Sequence, residues 1–238
     1  MENSQYKLCL EILRRFEKAG ILKDIVLIGS WCMLFYERHS KSASYMPLLK
    51  TRDMDLLVPH PAAIKAKVDV SELLKELGFV VGFTGTAGYI RLEHPELIVE
   101  FLVPERGKGS VKPYPLPQFG INAQALRFMD FLVRDTITAK IEEISLTVPS
   151  PANFCLHKLI IASRRRKTEK ALKDLQQAIY VSGIANDQQV KNLFDSMPKK
   201  WKQTILKMLE KAKKELPLLT EDIDKLELTL QTASKESM

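Results

Sequence analysis

The 238-residue chain is 45% apolar and 27% charged, the composition of an ordinary soluble protein with a core of its own. Its three cysteines, Cys9, Cys32 and Cys155, are far apart and form no CxxC pair, which argues against a disulfide framework or a structural zinc site. The longest uncharged run, residues 25–36, is too short to span a bilayer, and the first residues do not read as a signal peptide. We therefore expect a cytoplasmic protein with no membrane segment.

The net charge of +7 is concentrated in the second part of the chain. Residues 151–238 hold 17 Lys and Arg against 11 Asp and Glu, whereas residues 1–150 hold 19 against 18. A basic half beside a near-neutral half favours a polyanionic partner, such as RNA or a nucleoside triphosphate. A lysine-rich helical surface that is merely solvated would give the same balance.

The first part of the chain predicts strands with flanking helices. The predicted helices cover residues 4–19, 31–38 and 62–77. The predicted strands cover residues 24–28, 51–58, 79–83, 88–93 and 97–103. Residues 39–50 and 104–120 are rich in Ser, Pro or Gly and predict a flap and a surface loop, and residues 121–148 predict extended pieces around 126–133 and 144–148.

Pro149-Ser150-Pro151 is the clearest boundary in the sequence, because proline interrupts helices and strands alike. Beyond it the pattern predicts only helices, over residues 151–165, 168–183, 187–214 with a break near Pro198, and 218–233. Strands followed by helices indicate an α+β protein. We expect an α/β domain of residues 1–149 and a helical domain of residues 150–238.

Two acidic residues, Asp53 and Asp55, stand in an otherwise apolar strand, RDMDLLV. Because side chains alternate along a strand, both carboxylates lie on one face. Carboxylates that face the same way repel each other unless a cation lies between them, and Mg²⁺ prefers hard oxygen ligands. The pair therefore indicates a metal site, although many such pairs simply end a strand and cap the next helix.

Gly29 and Ser30 follow an apolar strand and precede a helix. Glycine permits a tight turn and the close approach of a phosphate, and the free N–H groups of a helix start attract anions. The pair therefore predicts a phosphate site, while Ser30 as a plain helix cap remains the simpler interpretation.

Glu100 lies in the middle of the apolar strand LIVEFLV. A carboxylate in such a place is costly unless it is paired or binds a metal. It is therefore either a third metal ligand or half of a buried salt bridge, with Arg91 or Arg52 as the partner.

These motifs occur in a fixed order: VLIGSW (26–31), TRDMDLLV (51–58), LIVEFLV (97–103), ALRFMDFL (125–132), PANFCLHKLI (151–160) and KALKDLQQA (170–178). The chain thereby resembles nucleotidyltransferases of the DNA polymerase beta superfamily, whose motif is a G-[GS] turn, then h-D-h-[DE]-h, then h-[DE]-h. It looks closest to a bacterial and archaeal nucleotidyltransferase-like family, and is distantly similar to type IV toxin nucleotidyltransferases. The resemblance implies a small mixed β-sheet domain with flanking helices, followed by a C-terminal helical domain.

The resemblance also implies an activity, the metal-dependent transfer of a nucleoside monophosphate from an NTP, such as ATP, to an acceptor hydroxyl. Asp53 and Asp55 would hold two Mg²⁺ ions, or Mn²⁺, with Glu100 completing the second site or acting as the base. Gly29 and Ser30 would hold the triphosphate. Further nucleotide-binding candidates lie on the helices after Pro151: Lys158 beside His157, Arg164, Lys173 and Asp174.

One feature departs from the superfamily: 22 residues, 31–52, separate Gly29-Ser30 from Asp53, which is longer than usual. If residues 39–50 were ordered rather than a flap, the turn and the two aspartates need not share one site. The acceptor stays open among RNA, another polyanion, a protein and a small molecule. A catalytically silent nucleotidyltransferase-fold binding module and an RNA-binding protein with structural acids remain alternatives.

Overall fold

The computed structural model describes residues 2–40, 51–107, 109 and 112–232. The described chain divides into two compact units, one of residues 2–39, 51–107, 109 and 112–149, and the other of residues 150–232 together with residue 40. Every described strand belongs to the first unit, and the second unit is helical. Within these ranges, no helix is both long enough and apolar enough to cross a membrane.

The first unit combines four helices with nine strands among its described residues. The helices are α1 (Glu2–Lys18), α2 (Trp31–Ser40), α3 (Val70–Lys75) and α4 (Met129–Leu132). The strands are β1 (Val26–Ile28), β2 (Asp53–Leu57), β3 (Val80–Thr84), β4 (Tyr89–Glu93), β5 (Ile98–Pro104), β6 (Tyr114–Leu116), β7 (Ile121–Leu126), β8 (Thr136–Ile141) and β9 (Ile144–Pro149).

Seven of these strands form one mixed sheet in the order β1-β2-β5-β4-β3, with β7 beside β5 and β6 beside β7. Strands β2 and β7 run parallel to β5, and the other pairs are antiparallel. Asn122 joins β7 to the start of β4, since its Oδ1 accepts from the Ile90 amide at 2.8 Å and its Nδ2 donates to the Gly88 carbonyl at 3.2 Å. Strands β8 and β9 form a separate hairpin.

The two faces of the sheet differ in chemistry because side chains alternate along each strand. On one face Met54, Leu56 and Val99 are fully buried, and the Phe101 ring lies 6.2 Å from Phe16 of α1. The opposite face carries Asp53 and Asp55 in β2 and Glu100 in β5 (the carboxylate face).

Helix α4 closes one end of the carboxylate face with apolar side chains. Met129 and Leu132 of α4 pack in a buried cluster with Val26, Ile28, Leu57 and Leu102. Leu57 lies two residues beyond Asp55 and Leu102 two beyond Glu100, so these leucines share the face of the acids. The carboxylates therefore border a dry apolar wall.

The second unit consists of helices α5 (Pro151–Ala162), α6 (Thr168–Ser182), α7 (Asp187–Asp195), α8 (Lys199–Glu215) and α9 (Thr220–Thr232). Helix α5 packs against α6, α7 and α8, and nearly all of its residues are buried. It begins where the sequence boundary is: the Ser150 hydroxyl accepts from the Asn153 amide at 3.1 Å, and Pro151 occupies the first turn.

Three predictions about local structure were wrong. The helix over residues 62–77 shrinks to α3 and a 3-10 turn at Pro61–Ala63. The intervening chain is extended because the amides of Val68 and Val70 donate to the carbonyls of Gln118 and Phe119, and Asp69 then caps α3.

The second error is the prediction of a surface loop at 104–120, the segment that accepts the hydrogen bonds of Val68 and Val70. Its described part contains β6, which pairs with β7, and it buries Leu116 and Phe119 completely. The third error is the extended piece at 126–133, where β7 ends and the helix α4 follows. Apolar burial, which local composition does not report, decided both segments.

The flap prediction is only partly covered by the described residues. Residues 39 and 40 belong to α2, so the helix is longer than predicted. Residues 41–50 lie outside the described residues.

Candidate active site

The strand register brings the three predicted acids together on one face of the sheet. Asp55 of β2 lies directly opposite Ile28 of β1 on one side and Glu100 of β5 on the other. Asp53 lies two residues before Asp55, opposite Ile98, so its side chain points to the same face. Asp53 is exposed, while Asp55 and Glu100 are half-buried.

Gly29 lies directly against Asp55. Its φ of +74° lies in the left-handed region, and a Cβ built there would lie 2.4 Å from Asp55 Oδ2. Only glycine allows this approach without displacing the carboxylate. The turn at Gly29-Ser30 therefore shares a site with the aspartates, although 22 residues separate the two motifs.

The two arginines considered as salt-bridge partners of Glu100 make their hydrogen bonds to other groups. Arg91 of β4 lies directly opposite Glu100, but its Nε donates to Glu93 Oε1 at 2.7 Å. Arg52 donates through Nη2 to the His94 carbonyl at 2.8 Å.

The residues present fit a metal that arrives with its nucleotide. Among the described residues, no group of three or more His, Cys, Asp or Glu side chains is arranged to hold a metal ion. Mg²⁺ in phosphoryl-transfer sites needs only one or two carboxylates, because the substrate phosphates and water supply the remaining oxygen ligands. The carboxylate oxygens of Asp53, Asp55 and Glu100 on one face are hard donors of the type Mg²⁺ prefers.

A second cluster of candidate residues lies within the helical unit. Lys158 of α5 donates through Nζ to Asp174 Oδ1 at 2.7 Å, and Arg165 donates through Nε to Asp174 Oδ2 at 2.7 Å. The side chains of Asp174 and Lys158 are 5% and 10% exposed, whereas that of Arg165 is 40% exposed. One carboxylate thus holds two cations, leaving a surplus of positive charge.

Burial and charge set the pKa values in this cluster. Burial raises the pKa of Asp174, but the attraction of Lys158 and Arg165 outweighs it, and the pKa of this carboxyl falls below its ordinary value. Burial lowers the pKa of His157 to about 3, with Lys158 acting in the same direction, so this histidine is neutral at physiological pH.

The other helical candidates lie on the surface. Arg164 is exposed in the connection between α5 and α6, and Lys173 is exposed on α6 beside Asp174. The arginine that reaches Asp174 is Arg165 rather than Arg164, and its spacing of seven residues from Lys158 was the signal for it. The sequence interpretation gave no role to Glu93, which accepts a hydrogen bond from Arg91 two residues earlier in β4. It also gave none to Gly82, which lies opposite Arg91 in β3.

Comparison with known proteins identifies the family of the chain. The family model described as nucleotidyltransferase matches residues 7–221. The chain therefore belongs to the nucleotidyltransferase family, which confirms the predicted superfamily. Among curated proteins, none matches the chain.

The chain is also similar to solved structures. An antigenic nucleotidyltransferase-like protein from Paracoccidioides brasiliensis is similar with a TM-score of 0.52 and 16% identity, over 91% of this chain and 92% of that one. The solution structure of the antibiotic-resistance factor ANT(2'')-Ia gives a TM-score of 0.47 and 12% identity, over 81% and 90% of the two chains. The similarity to the first of these proteins confirms the predicted fold class.

Gly29→Ala is expected to impair the site beyond its cost in stability. Both Gly29 and Gly20 have positive φ, so alanine at either position should cost about 1–2 kcal/mol of unfolding free energy. Only at Gly29 does the new Cβ displace Asp55, since nothing lies within 4 Å of a Cβ at Gly20. Urea unfolding and Mg²⁺-dependent NTP binding should therefore separate the variants: equal losses of binding would contradict the contact.

Asp174→Asn should destabilise the protein by about 3–5 kcal/mol at neutral pH, because it leaves the buried Lys158 ammonium without its carboxylate. Adding Lys158→Met should recover much of that loss, which a double-mutant cycle in urea measures. The folded pKa of Asp174 is lowered, so its stabilisation is complete above 3.8 and is lost as the pH falls through the folded value. If Asp174→Asn were as stable as the wild type at neutral pH, the buried ion pair would be refuted.

His157 should make stability fall with pH below about 6.5. Below that pH His157 binds a proton in the unfolded chain, whereas in the folded protein it stays neutral until about pH 3. The free energy of unfolding therefore drops by about 1.4 kcal/mol per pH unit. Urea unfolding between pH 7 and 4.5 should give a flatter profile for His157→Gln than for the wild type. His60→Gln, which changes an exposed histidine, is the control; identical slopes for His157→Gln and the wild type would rule out the depressed pKa.

Proposed function

We propose that the protein transfers a nucleoside monophosphate from an NTP to an acceptor hydroxyl, using two Mg²⁺ ions held by Asp53, Asp55 and Glu100. The observation that carries the proposal is a row of three residues on the carboxylate face. Gly29 follows the end of β1, Asp55 lies beside it in β2, and Glu100 lies opposite Asp55 in β5. A phosphate-binding turn and paired carboxylates on one face are the parts that phosphoryl transfer requires.

Gly29 and Ser30 would bind the triphosphate at the β1 side of the row. The glycine has no side chain between the turn and Asp55, so a phosphate can approach both the backbone and the carboxylate. Mg²⁺, when bound, neutralises the triphosphate and lowers the pKa of the acceptor hydroxyl.

The acceptor oxygen would attack the α-phosphorus of the NTP, forming the new P–O bond as the bond to pyrophosphate breaks. Glu100 lies one strand, about 5 Å, from Asp55 on the side away from Gly29. There it would either accept the proton of the acceptor hydroxyl or complete the ligands of the second ion. The apolar wall of α4 would keep water from one side of the reaction.

In the helical unit, Asp174 would hold Lys158 in a fixed position as a candidate triphosphate contact. Arg164 and Lys173 would add positive charge for the nucleotide or for a polyanionic acceptor such as RNA. The basic balance of residues 151–238 supports this part of the proposal.

Isothermal titration tests the proposal because it needs no acceptor. Wild-type protein should bind an NTP only when Mg²⁺ or Mn²⁺ is present. Asp55→Asn should lower that affinity at least tenfold while leaving the protein as stable or slightly more stable, since it relieves like-charge repulsion by about 1 kcal/mol. NTP binding that is independent of metal, or an Asp55→Asn variant that is several kcal/mol less stable, would refute the metal role.

Glu100→Gln distinguishes the two roles of that residue. As a base, Glu100 is not needed for nucleotide binding, so the variant should bind Mg²⁺–NTP normally and lose transfer. If Glu100 is instead a metal ligand, Glu100→Gln should also weaken the dependence of nucleotide binding on Mg²⁺. A loss of roughly 3–5 kcal/mol of stability that is insensitive to Mg²⁺ would instead indicate a structural ion pair.

A further inference from the structure

The row of the carboxylate face continues past Glu100 onto the next two strands. Arg91 of β4 lies opposite Glu100, and Gly82 of β3 lies opposite Arg91. Residues directly opposite in neighbouring strands point to the same face. Arg91 is therefore about 5 Å from the Glu100 backbone and about 10 Å from that of Asp55, on the side away from Gly29.

Arg91 is held in position by two neighbours. Its Nε donates to Glu93 Oε1 at 2.7 Å, and Glu93 lies two residues further along β4 on the same face. Gly82 makes room for that carboxylate: a Cβ at position 82 would lie 2.0 Å from Glu93 Oε1. The backbone at Gly82 has no positive φ, so a side chain at this position would act by displacing the Glu93 carboxylate rather than by straining the backbone.

This arrangement leaves the outer edge of the guanidinium available. The hydrogen bond and ion pair of Arg91 within the described residues both run through Nε to Glu93. The side chains of Arg91 and Glu93 are 32% and 36% exposed, so a ligand can reach them. The two terminal NH₂ groups of a guanidinium present a fork that matches phosphate oxygens.

We propose that Arg91, oriented by Glu93 and Gly82, forms an acceptor subsite that binds a phosphate group carried beside the reactive hydroxyl. The inference rests on the proposed function, which puts the triphosphate at the Gly29 end of the row. In-line displacement requires the attacking oxygen and the leaving pyrophosphate on opposite sides of the α-phosphorus. The acceptor then lies over β5 and β4, where Arg91 places a cation on the carboxylate face.

The chemical class of acceptor follows from this position. A nucleotide at the 3′ end of RNA and a phosphorylated small molecule both carry a phosphate near a free hydroxyl. An unphosphorylated sugar offers Arg91 no anion. The subsite therefore favours phosphate-bearing acceptors of either source over neutral ones.

The direct test observes Arg91 itself by nitrogen-15 NMR of arginine side chains. The Nε–H signal of Arg91 is assigned as the one lost in Arg91→Lys. The protein, with Mg²⁺ and a non-hydrolysable NTP analogue, is titrated with ribose 5-phosphate, with a diribonucleotide that has a free 3′ hydroxyl, and with ribose. Ribose 5-phosphate or the dinucleotide should shift the signal, and the more effective of the two identifies the source of the phosphate.

Binding of the effective probe should weaken about tenfold or more in Arg91→Ala, because a charge-assisted hydrogen bond is lost. Gly82→Ala should weaken it less, since the new methyl displaces Glu93 and releases Arg91. Arg14→Ala is the matched control: Arg14 also pairs with a glutamate, Glu142, but belongs to α1 on the opposite face. None of the three substitutions should change the affinity for Mg²⁺–NTP.

Two results would overturn the subsite: a signal that neither phosphorylated probe shifts at millimolar concentration, or one that ribose shifts as strongly. Weaker Mg²⁺–NTP binding in Arg91→Ala would also overturn it, because Arg91 would then contact the triphosphate. Failure of the proposed function is distinguishable, since it appears as absent Mg²⁺–NTP binding in the wild type. The shift of the Arg91 signal with ribose 5-phosphate can be measured whether or not the protein binds Mg²⁺–NTP.

Discussion

Asp55 lies between two backbones, with Ile28 of β1 on one side and Glu100 of β5 on the other. This pairing sets the end of β1 against the carboxylates, and the candidate site depends on it. A slip of one residue in β2 would turn Asp53 and Asp55 to the face covered by α1 and would bring Met54 and Leu56 to the site. The burial of those two apolar side chains therefore keeps the acids in place.

In the helical unit a charged residue, rather than an apolar face, holds side chains in place. Asp174 accepts hydrogen bonds from Lys158 and Arg165, and the pair Lys158–Asp174 is nearly buried. Such a pair contributes little net stability but is costly to break from one side. It fixes the direction of two long side chains that would otherwise sample many rotamers.

The row across the carboxylate face has two chemically different ends. At the β1 end, Gly29 gives backbone access to Asp55, as a phosphate-binding turn requires. At the β4 end, Arg91 offers a guanidinium whose orientation Glu93 fixes. Glu100 lies between them, and α4 closes the face along the strand direction. These two ends are the places that the proposed function assigns to the triphosphate and to the acceptor.

The sequence by itself determined the family, through its ordered motifs, and the α+β order of elements, which depends on local period that side chains record directly. It also predicted a helix start at Pro151, where α5 begins. The roles of Asp53, Asp55 and Glu100 stay a prediction. Only the tertiary structure decided that Gly29 contacts Asp55, that Arg165 joins Lys158 on Asp174, and that Arg91 pairs with Glu93 rather than Glu100. It also turned the predicted loop at 104–120 into a partly buried strand. These contacts join residues distant in the chain or on neighbouring strands, and strand register and burial fix them where local composition carries no record.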